Sequence, residues 1–185
     1  QGVQNCQRYL EQVFDMEGKI RVLSPFVGGA FGSGLRPQYQ LPLAVMAALK
    51  LKAAVRVELT RQQMFTFGYR PRTVQQLKLA ADGEGRLQAV EHRAIGQTSR
   101  FEDFTEHEVE WSGMLYACDN VRLGYRLAPL DVYTPLDMRA PGATIGVYAL
   151  ECAMDELAYE VGIDPLELRL RNYTETNGNE GKRYS

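Results

Sequence analysis

Residues 73–98 read TVQQLKLAADGEGRLQAVEHRAIGQT, and this stretch decides the fold class. Two runs with strand-like patterns, 73–81 and 86–98, flank the turn sequence Asp82-Gly-Glu-Gly85. Strand-like runs joined by a short glycine-containing turn are typical of a β-hairpin. We therefore expect an antiparallel hairpin in the middle of the chain.

The sequence before the hairpin predicts helices and short strands. Apolar residues recur at helical spacing over residues 3–16, and Gly18 is expected to end that helix. A long apolar run predicts a second helix over about residues 40–52. Three short elements complete this part: strands at Ile20–Leu23 and Val55–Leu59, and a short helix capped by Thr60 and running through Phe67.

The sequence after the hairpin adds a strand and two helices. Strand-like sequence lies between Val121 and Tyr133, and apolar residues from Val147 to Val161 repeat at steps of three and four until Gly162. Asp164-Pro-Leu-Glu167 has the capping residue, first-turn proline and reciprocal glutamate of a helix start. Hairpin and strand–helix–strand signals together predict an α+β fold, a mixed sheet with packed helices.

Composition and charge exclude several classes of partner. Lys plus Arg (21) nearly balance Asp plus Glu (23), and the net charge of −2 argues against a nucleic-acid partner. Lys50 and Lys52 interrupt the longest apolar stretch, so we expect no membrane span.

The three cysteines are far apart and have no CxxC spacing. They are expected to pack as small hydrophobic residues rather than to bind a metal, which favours a cytoplasmic over a periplasmic compartment. The chain starts at Gln1 without a signal-like region and ends after a polar run at 174–185. We therefore expect 1–185 to be one domain-sized piece cut from a longer protein.

Two loops are candidates for ligand binding. Residues 28–34 read GGAFGSG between a predicted strand and a helix, so their backbone N–H groups can approach a ligand closely. Their spacing matches neither a dinucleotide-binding nor a P-loop motif, and a plain flexible connector remains an alternative to an anion cradle. The second loop, Asp137-Met-Arg-Ala-Pro-Gly142, offers Arg139 to an anionic ligand. The alternative is a surface arginine paired with Asp137.

Five motifs in this order carry a family resemblance: Gln1-Gly-Val, Ser24-Pro-Phe-Val-Gly-Gly-Ala-Phe-Gly-Ser33, Met138-Arg-Ala-Pro-Gly142, Leu150-Glu-Cys-Ala-Met-Asp-Glu-Leu-Ala158 and Gly162-Ile-Asp-Pro-Leu-Glu-Leu-Arg-Leu-Arg-Asn172. The chain resembles the molybdopterin-binding large subunit of the xanthine dehydrogenase and aldehyde oxidase family. The bacterial aldehyde and isoquinoline oxidoreductase branch is the nearer match. The resemblance runs nearly end to end, apart from residues 99–112.

The resemblance implies a cofactor site. Its residues would be Gln1, Gly29, Ala30, Phe31, Gly32 and Arg139, with backbone N–H groups and a guanidinium beside electron-rich atoms of the molybdenum cofactor. The family's catalytic base, a glutamate, lies near the far end of the full subunit, so no carboxylate of this chain is assigned that role. The resemblance also implies an iron–sulfur centre and FAD on partner subunits or domains, with the remainder of the large subunit as a further partner. The piece alone is expected to bind no cofactor and to be inactive.

Substrate class follows from two departures from the family pattern. Leu35 and Gly113 stand where purine-oxidising members carry a glutamate and an arginine. Buried purine heteroatoms would then lack partners, so the resemblance implies a small-molecule substrate that is an aldehyde or an N-heteroaromatic compound. A non-catalytic binding or assembly module that retains the fold is the alternative function, and an anion-binding domain unrelated to molybdenum is a third.

Two further features are expected to have structural rather than functional roles. His92 on the predicted strand is expected to be a partly exposed surface or packing residue. The acidic residues from Glu102 to Glu110, beside His107, are expected to form a solvated loop, with a divalent-cation site as the alternative.

Overall fold

The predicted hairpin forms the first two strands of a three-stranded sheet in the computed structural model, which describes residues 1–184. Strand β1 (Thr73–Ala81) pairs antiparallel with β2 (Leu87–Ser99), and β2 pairs parallel with β3 (Val121–Leu130). The sheet is therefore mixed, with β2 in the centre. Together with the helices this confirms the α+β prediction.

The two faces of the sheet differ because side chains alternate along each strand. Even-numbered residues of β2 from Val90 to Thr98 are buried, whereas Arg93 and Ile95 are exposed. In the hairpin, Leu77 and Leu79 pack against the core but Val74 lies on the exposed face. The core cluster consists of Leu87, Val90, Leu150, Met154, Ala158 and Leu168.

The helices that cover the inner face are α4 (Ala143–Val161) and α5 (Pro165–Arg171). Gly162 ends α4 in a left-handed conformation, as predicted. Asp164 caps α5 by accepting hydrogen bonds from Leu166 N and Glu167 N. The predicted reciprocal hydrogen bond from the Asp164 backbone N–H to Glu167 is wrong. The Glu167 carboxylate accepts from Arg171 Nε at 2.9 Å instead.

A charged network joins these two helices. Arg169 of α5 donates from Nε to Glu151 Oε2 at 2.7 Å and forms an ion pair with Asp155 Oδ1 at 2.8 Å, both on α4. Tyr116 donates from its hydroxyl to Glu151 Oε1 at 2.6 Å. Because these side chains are partly buried, the network fixes α5 against α4 more firmly than an exposed ion pair would.

The described residues form two compact units. Unit 1 comprises Gln1–Arg70 and Tyr133–Arg139, and unit 2 comprises Pro71–Val132 together with the residues from Ala140 onward. The sheet, α4 and α5 belong to unit 2. A short 3-10 helix (Val109–Gly113) and a two-stranded ribbon of β4 (Thr176–Asn177) and β5 (Lys182–Arg183) complete that unit.

Unit 1 contains three helices: α1 (Val3–Phe14), α2 (Gln40–Leu51) and α3 (Arg61–Met64). They confirm the predicted helices, and Thr60 caps α3 in a reciprocal capping box with Gln63. The predicted end of α1 is wrong. Asp15, not Gly18, adopts the left-handed capping conformation, with a φ of 51°.

The predicted strands at Ile20–Leu23 and Val55–Leu59 are absent from the structure. A strand requires a neighbour that accepts and donates backbone hydrogen bonds, and within residues 1–184 neither segment pairs with another strand. No helix in the described part of the chain has the length and hydropathy needed to cross a bilayer.

Candidate functional site

The glycine loop of residues 25–35 lies in unit 1 as an irregular, largely exposed segment, as predicted, although no strand precedes it. Ala30 O accepts from Ser33 N at 2.9 Å and from Ser33 Oγ at 2.8 Å. Gly32 O accepts from Leu35 N at 3.0 Å. Phe31 lies in a turn with a positive φ of 50°, a conformation that is costly for a bulky residue and that also occurs at functional sites.

The arginine loop (residues 133–139) lies against the glycine loop within unit 1. Arg139 N donates to Phe31 O at 2.7 Å, and a methyl group on Gly32 would lie 3.7 Å from Asp137 O. The Asp137 carboxylate accepts from Arg36 Nε at 2.9 Å. Two segments about a hundred residues apart in sequence are thus joined by a backbone hydrogen bond and an ion pair. The partner that the structure gives Asp137 is Arg36, a residue that the sequence pattern did not indicate.

The start of the chain reaches the same loop. A methyl group on Gly34 would lie 3.5 Å from Gln1 Cβ and 3.6 Å from Gln1 Oε1. Gly2 has a φ of 64°, and a Cβ there would lie 2.8 Å from Leu35 O. All six residues of the implied cofactor site therefore lie in one unit, and backbone contacts join the loops that carry them.

Hydrogen-bond donors remain unused in this region. Among residues 1–184, no acceptor is found for the backbone N–H groups of Gly29, Ala30, Phe31 and Gly32, or for the Gln1 side-chain amide. The Arg139 side chain is exposed. A set of free N–H donors beside a guanidinium suits a ligand rich in oxo, sulfur and phosphate groups, so the residues present fit the molybdenum cofactor.

The acidic run of unit 2 does not form the predicted solvated loop. Glu106 and Glu108 are 1% and 0% exposed, and residues 104, 106 and 108 are buried in alternation with exposed 105 and 107. Glu106 Oε2 accepts from Gly142 N at 3.0 Å and so caps the first turn of α4. No sequence signal indicated this burial, because Glu106 and Glu108 alternate with Thr105 and His107, which are also polar.

Glu108 is held in an unusual environment for a carboxyl group. Tyr125 donates to Glu108 Oε1 at 3.5 Å, and Oε2 is buried and accepts no hydrogen bond from residues 1–184. Burial, with a contribution from the neighbouring Glu106 carboxylate, raises the pKa of Glu108 to about 7. Burial likewise raises the pKa of Tyr125 to about 12, with a contribution from Glu108.

His92 is fully buried, so the expected partial exposure is wrong. Its Nε2 lies 3.0 Å from Gln75 Oε1 and its Nδ1 lies 2.7 Å from Ser112 Oγ. Gln75 Nε2 donates to Ile145 O at 3.4 Å, which fixes the Gln75 oxygen toward the imidazole. The neutral ring therefore carries its proton on Nε2 and accepts from Ser112 at Nδ1. Burial lowers the pKa of His92 to about 4.

No metal-ligand cluster is found in the described residues, where no three His, Cys, Asp or Glu side chains are grouped to hold an ion. The carboxylates from Glu102 to Glu110 therefore do not form the alternative cation site. All three cysteines are free, and Cys152 is exposed rather than packed as expected.

Sequence comparison places the chain in a family. The model of the molybdopterin cofactor-binding domain matches residues 1–173. The chain belongs to this family, and the resemblance stated from its motifs is confirmed.

Two individual relatives agree with the family match. The aldehyde oxidoreductase molybdenum-binding subunit PaoC of Escherichia coli (strain K12) is 39% identical over 164 residues, which cover 85% of this chain and 22% of that protein. The aldehyde oxidoreductase of Megalodesulfovibrio gigas is 35% identical over 159 residues, which cover 83% of this chain and 17% of that protein. The chain thus spans about a fifth of the length of these relatives.

Solved structures share the fold. The aldehyde oxidoreductase of Desulfovibrio gigas matches with a TM-score of 0.74 and 30% identity, covering 85% of this chain and 18% of that chain. Quinoline 2-oxidoreductase of Pseudomonas putida 86 matches with a TM-score of 0.88 over 100% of this chain and 25% of that chain. At 22% identity the second match bears on the fold alone.

Proposed function

We propose that this chain is the cofactor-holding part of a molybdenum hydroxylase whose complete form oxidises an aldehyde or an N-heteroaromatic compound with oxygen derived from water. The observation that carries the proposal is the meeting of Gln1, the glycine loop and Arg139 within unit 1, where the backbone N–H groups of Gly29 to Gly32 and the Gln1 amide have no acceptor among residues 1–184. The family match supports it.

Each site residue has a definite task in this proposal. The N–H groups of Gly29, Ala30, Phe31 and Gly32 donate to electron-rich atoms of the cofactor, and the Gln1 amide adds a further donor. Arg139 supplies the positive charge that an anionic cofactor requires. When bound, the cofactor supplies a metal centre that accepts the two electrons removed from the substrate.

The substrate class rests on Leu35 and Gly113. Leu35 is 48% exposed and offers no polar group. Gly113 is buried, and a Cβ on it would lie 1.9 Å from Asn179 Oδ1, so an arginine there would require the Asn179 side chain to move away from its hydrogen bond to Glu110 O. The names of the aldehyde-oxidising relatives support the same class.

The substrate assignment is tested with the complete protein and its partner subunits. Purified enzyme should contain molybdenum and should oxidise benzaldehyde or quinoline at least about tenfold faster than xanthine, which corresponds to ~1.4 kcal/mol of discrimination. Xanthine as the fastest of the three substrates would overturn the substrate class. A complete enzyme without molybdenum would overturn the cofactor assignment.

Partners and the state of the isolated chain complete the proposal. The electrons leave through an iron–sulfur centre and FAD on partner subunits or domains, and the remainder of the large subunit encloses the cofactor. The 185-residue chain alone supplies one wall of the pocket and holds the cofactor poorly, so it is inactive. Elemental analysis should find far less than one molybdenum per isolated chain, and a near-stoichiometric content would contradict this part.

A further inference from the structure

Residues 68–70 run beside the arginine loop within unit 1 and contact it at several points. Gly68 has a φ of 151°, and a Cβ there would lie 2.4 Å from Leu136 Cβ, so only glycine allows this approach. Leu136 N donates to Tyr69 O at 3.1 Å, and the Tyr69 hydroxyl donates to Tyr133 O at 3.0 Å. The segment therefore tracks the arginine loop from residue 133 onward.

Arg70 ends this segment with a contact to Arg139 itself. Arg70 Nη2 donates to Arg139 O at 2.8 Å. On the other side, Arg139 N donates to Phe31 O at 2.7 Å. Both peptide groups of Arg139 are thus fixed, one by a charged donor and one by the glycine loop, while its side chain stays exposed. A charge-assisted hydrogen bond is stronger than a neutral one and restricts the position of the loop backbone.

We infer that Arg70 is a positioning residue for Arg139. It acts through the backbone carbonyl and determines where the Arg139 guanidinium stands relative to the cofactor. The inference rests on the proposed function, because it assigns Arg70 a role only if Arg139 serves the cofactor. Arg70 needs no contact with cofactor or substrate for this role.

Replacing Arg70 should therefore weaken cofactor retention without removing a cofactor ligand. In the complete enzyme, Arg70→Met should lower molybdenum content or kcat about five- to tenfold, the effect of losing one charge-assisted hydrogen bond. Arg70→Lys retains a charged donor and should restore most of that loss. Arg72→Met is the matched control, since Arg72 is exposed and its side chain makes no hydrogen bond or ion pair with residues 1–184.

A double-mutant cycle separates positioning from general support of the fold. If Arg70 acts through Arg139, Arg70→Met should change molybdenum content less than about twofold in an Arg139→Ala background. An undiminished effect in that background would overturn the inference and leave the proposed function intact. Should Arg139→Ala itself have no effect on molybdenum content, the proposed site would be wrong instead. If Arg70→Met does not yield folded enzyme, Arg70→Lys and Arg70→Gln complete the same cycle.

Discussion

Arg139 illustrates how a single residue can combine a fixed backbone with an exposed side chain. Its peptide N–H and carbonyl are bonded to Phe31 and Arg70, and its guanidinium lies at the surface of unit 1. Because the backbone is already fixed, binding of a ligand has to order only the side-chain rotamers of Arg139 and not the loop that carries it. The cost of removing it should therefore appear mainly in binding rather than in folding.

In the complete enzyme, Arg139→Ala should lower cofactor occupancy or turnover at least about tenfold, because losing one buried charge-assisted contact costs about 2–5 kcal/mol. Arg139→Lys should restore only part, since a point charge cannot reproduce the planar fork. Molybdenum content and aldehyde oxidation rate measure both effects. The control is Arg100→Ala, which removes only an exposed ion pair with Asp131. If both alanine variants have molybdenum content and oxidation rates near those of the wild type, Arg139 is a surface residue with no role in cofactor binding.

The raised pKa of Glu108 predicts that the stability of unit 2 depends on pH. Its carboxyl group faces Glu106 and Tyr125, with His107 adjacent in sequence, and its pKa is raised from 4.5 to about 7. A folded state that holds this proton more tightly than the unfolded state is favoured at low pH, and that stabilisation is lost as pH rises from 4.5 to about 7. His92 has the opposite sign, because its lowered pKa of about 4 makes stability rise with pH from about 4 to 6.5.

Glu108→Gln should therefore stabilise the protein more at pH 8 than at pH 5. The gain over wild type should grow by about 1–3 kcal/mol between these values, since each unit of pKa shift corresponds to ~1.4 kcal/mol. Comparing the variant with wild type at each pH cancels the contribution of His92. Urea unfolding at both pH values provides the measurement. A gain that is constant with pH would mean that Glu108 is ionised in the folded protein throughout this range.

The first turn of α4 shows how an element depends on a segment distant in sequence. Glu106 caps this turn through Gly142 N, and a Cβ on Gly142 would lie 2.6 Å from His107 C. A Cβ on Gly146 would lie 2.0 Å from Glu108 O. Segment 106–108 thus crosses the start of the helix at a distance that only glycine permits. The two buried carboxyl groups and the helix position each other.

Gly146→Ala should destabilise the fold, although alanine is the better helix former by about 0.5–1 kcal/mol. The new methyl group would displace the backbone at Glu108, and overpacking of this kind costs about 1–3 kcal/mol or more. Gly83→Ala is the matched control, because a Cβ there meets nothing within 4 Å. Thermal or urea unfolding should separate the two variants. A Gly146→Ala variant as stable as Gly83→Ala would show that the close approach is relieved at no cost.

Element by element, the long periodic patterns and the capped helix starts were predictable, and the two short strands were not. The repeats in α1, α2 and α4 contain several turns of apolar spacing, and the hairpin carries its own turn sequence, so local sequence specifies them. Ile20–Leu23 and Val55–Leu59 have the composition of strands but no partner in the described chain. Composition alone cannot supply the hydrogen bonds that make a strand.

The candidate site likewise has residues that local sequence predicted and residues that only tertiary contacts reveal. Gln1, the glycine loop and Arg139 could be named from their motifs, but their meeting in unit 1 depends on tertiary contacts. Arg36 and Arg70 gave no sequence signal, because an arginine that bonds a distant carboxylate or carbonyl looks like any surface arginine. Glu106 and Glu108 were misread for a related reason. Their burial depends on the approach to α4, and an acidic run by itself predicts exposure.

At the scale of the whole molecule, the described part of the chain exposes many large apolar side chains. Phe26 is 92% exposed and Phe65 is 73% exposed in unit 1, and Phe101 is 90% exposed in unit 2. The relatives are about four to five times as long as this chain, so additional chain is available to cover such surface in them. Exposed aromatic residues in water favour association with other apolar surfaces.

The isolated 185-residue chain should therefore self-associate as its concentration rises, with an apparent mass above 20.9 kDa in sedimentation experiments. Removing apolar area should weaken the association, because burial contributes about 25 cal/mol per Å². Phe26→Ser and Phe65→Ser together should shift the association to higher concentration, whereas Lys19→Ser, at an exposed polar position of the same unit, should not. A strictly monomeric wild-type chain at high concentration would mean that these side chains are tolerated in water. An association unchanged by the double phenylalanine variant would place the contact on another surface of the chain.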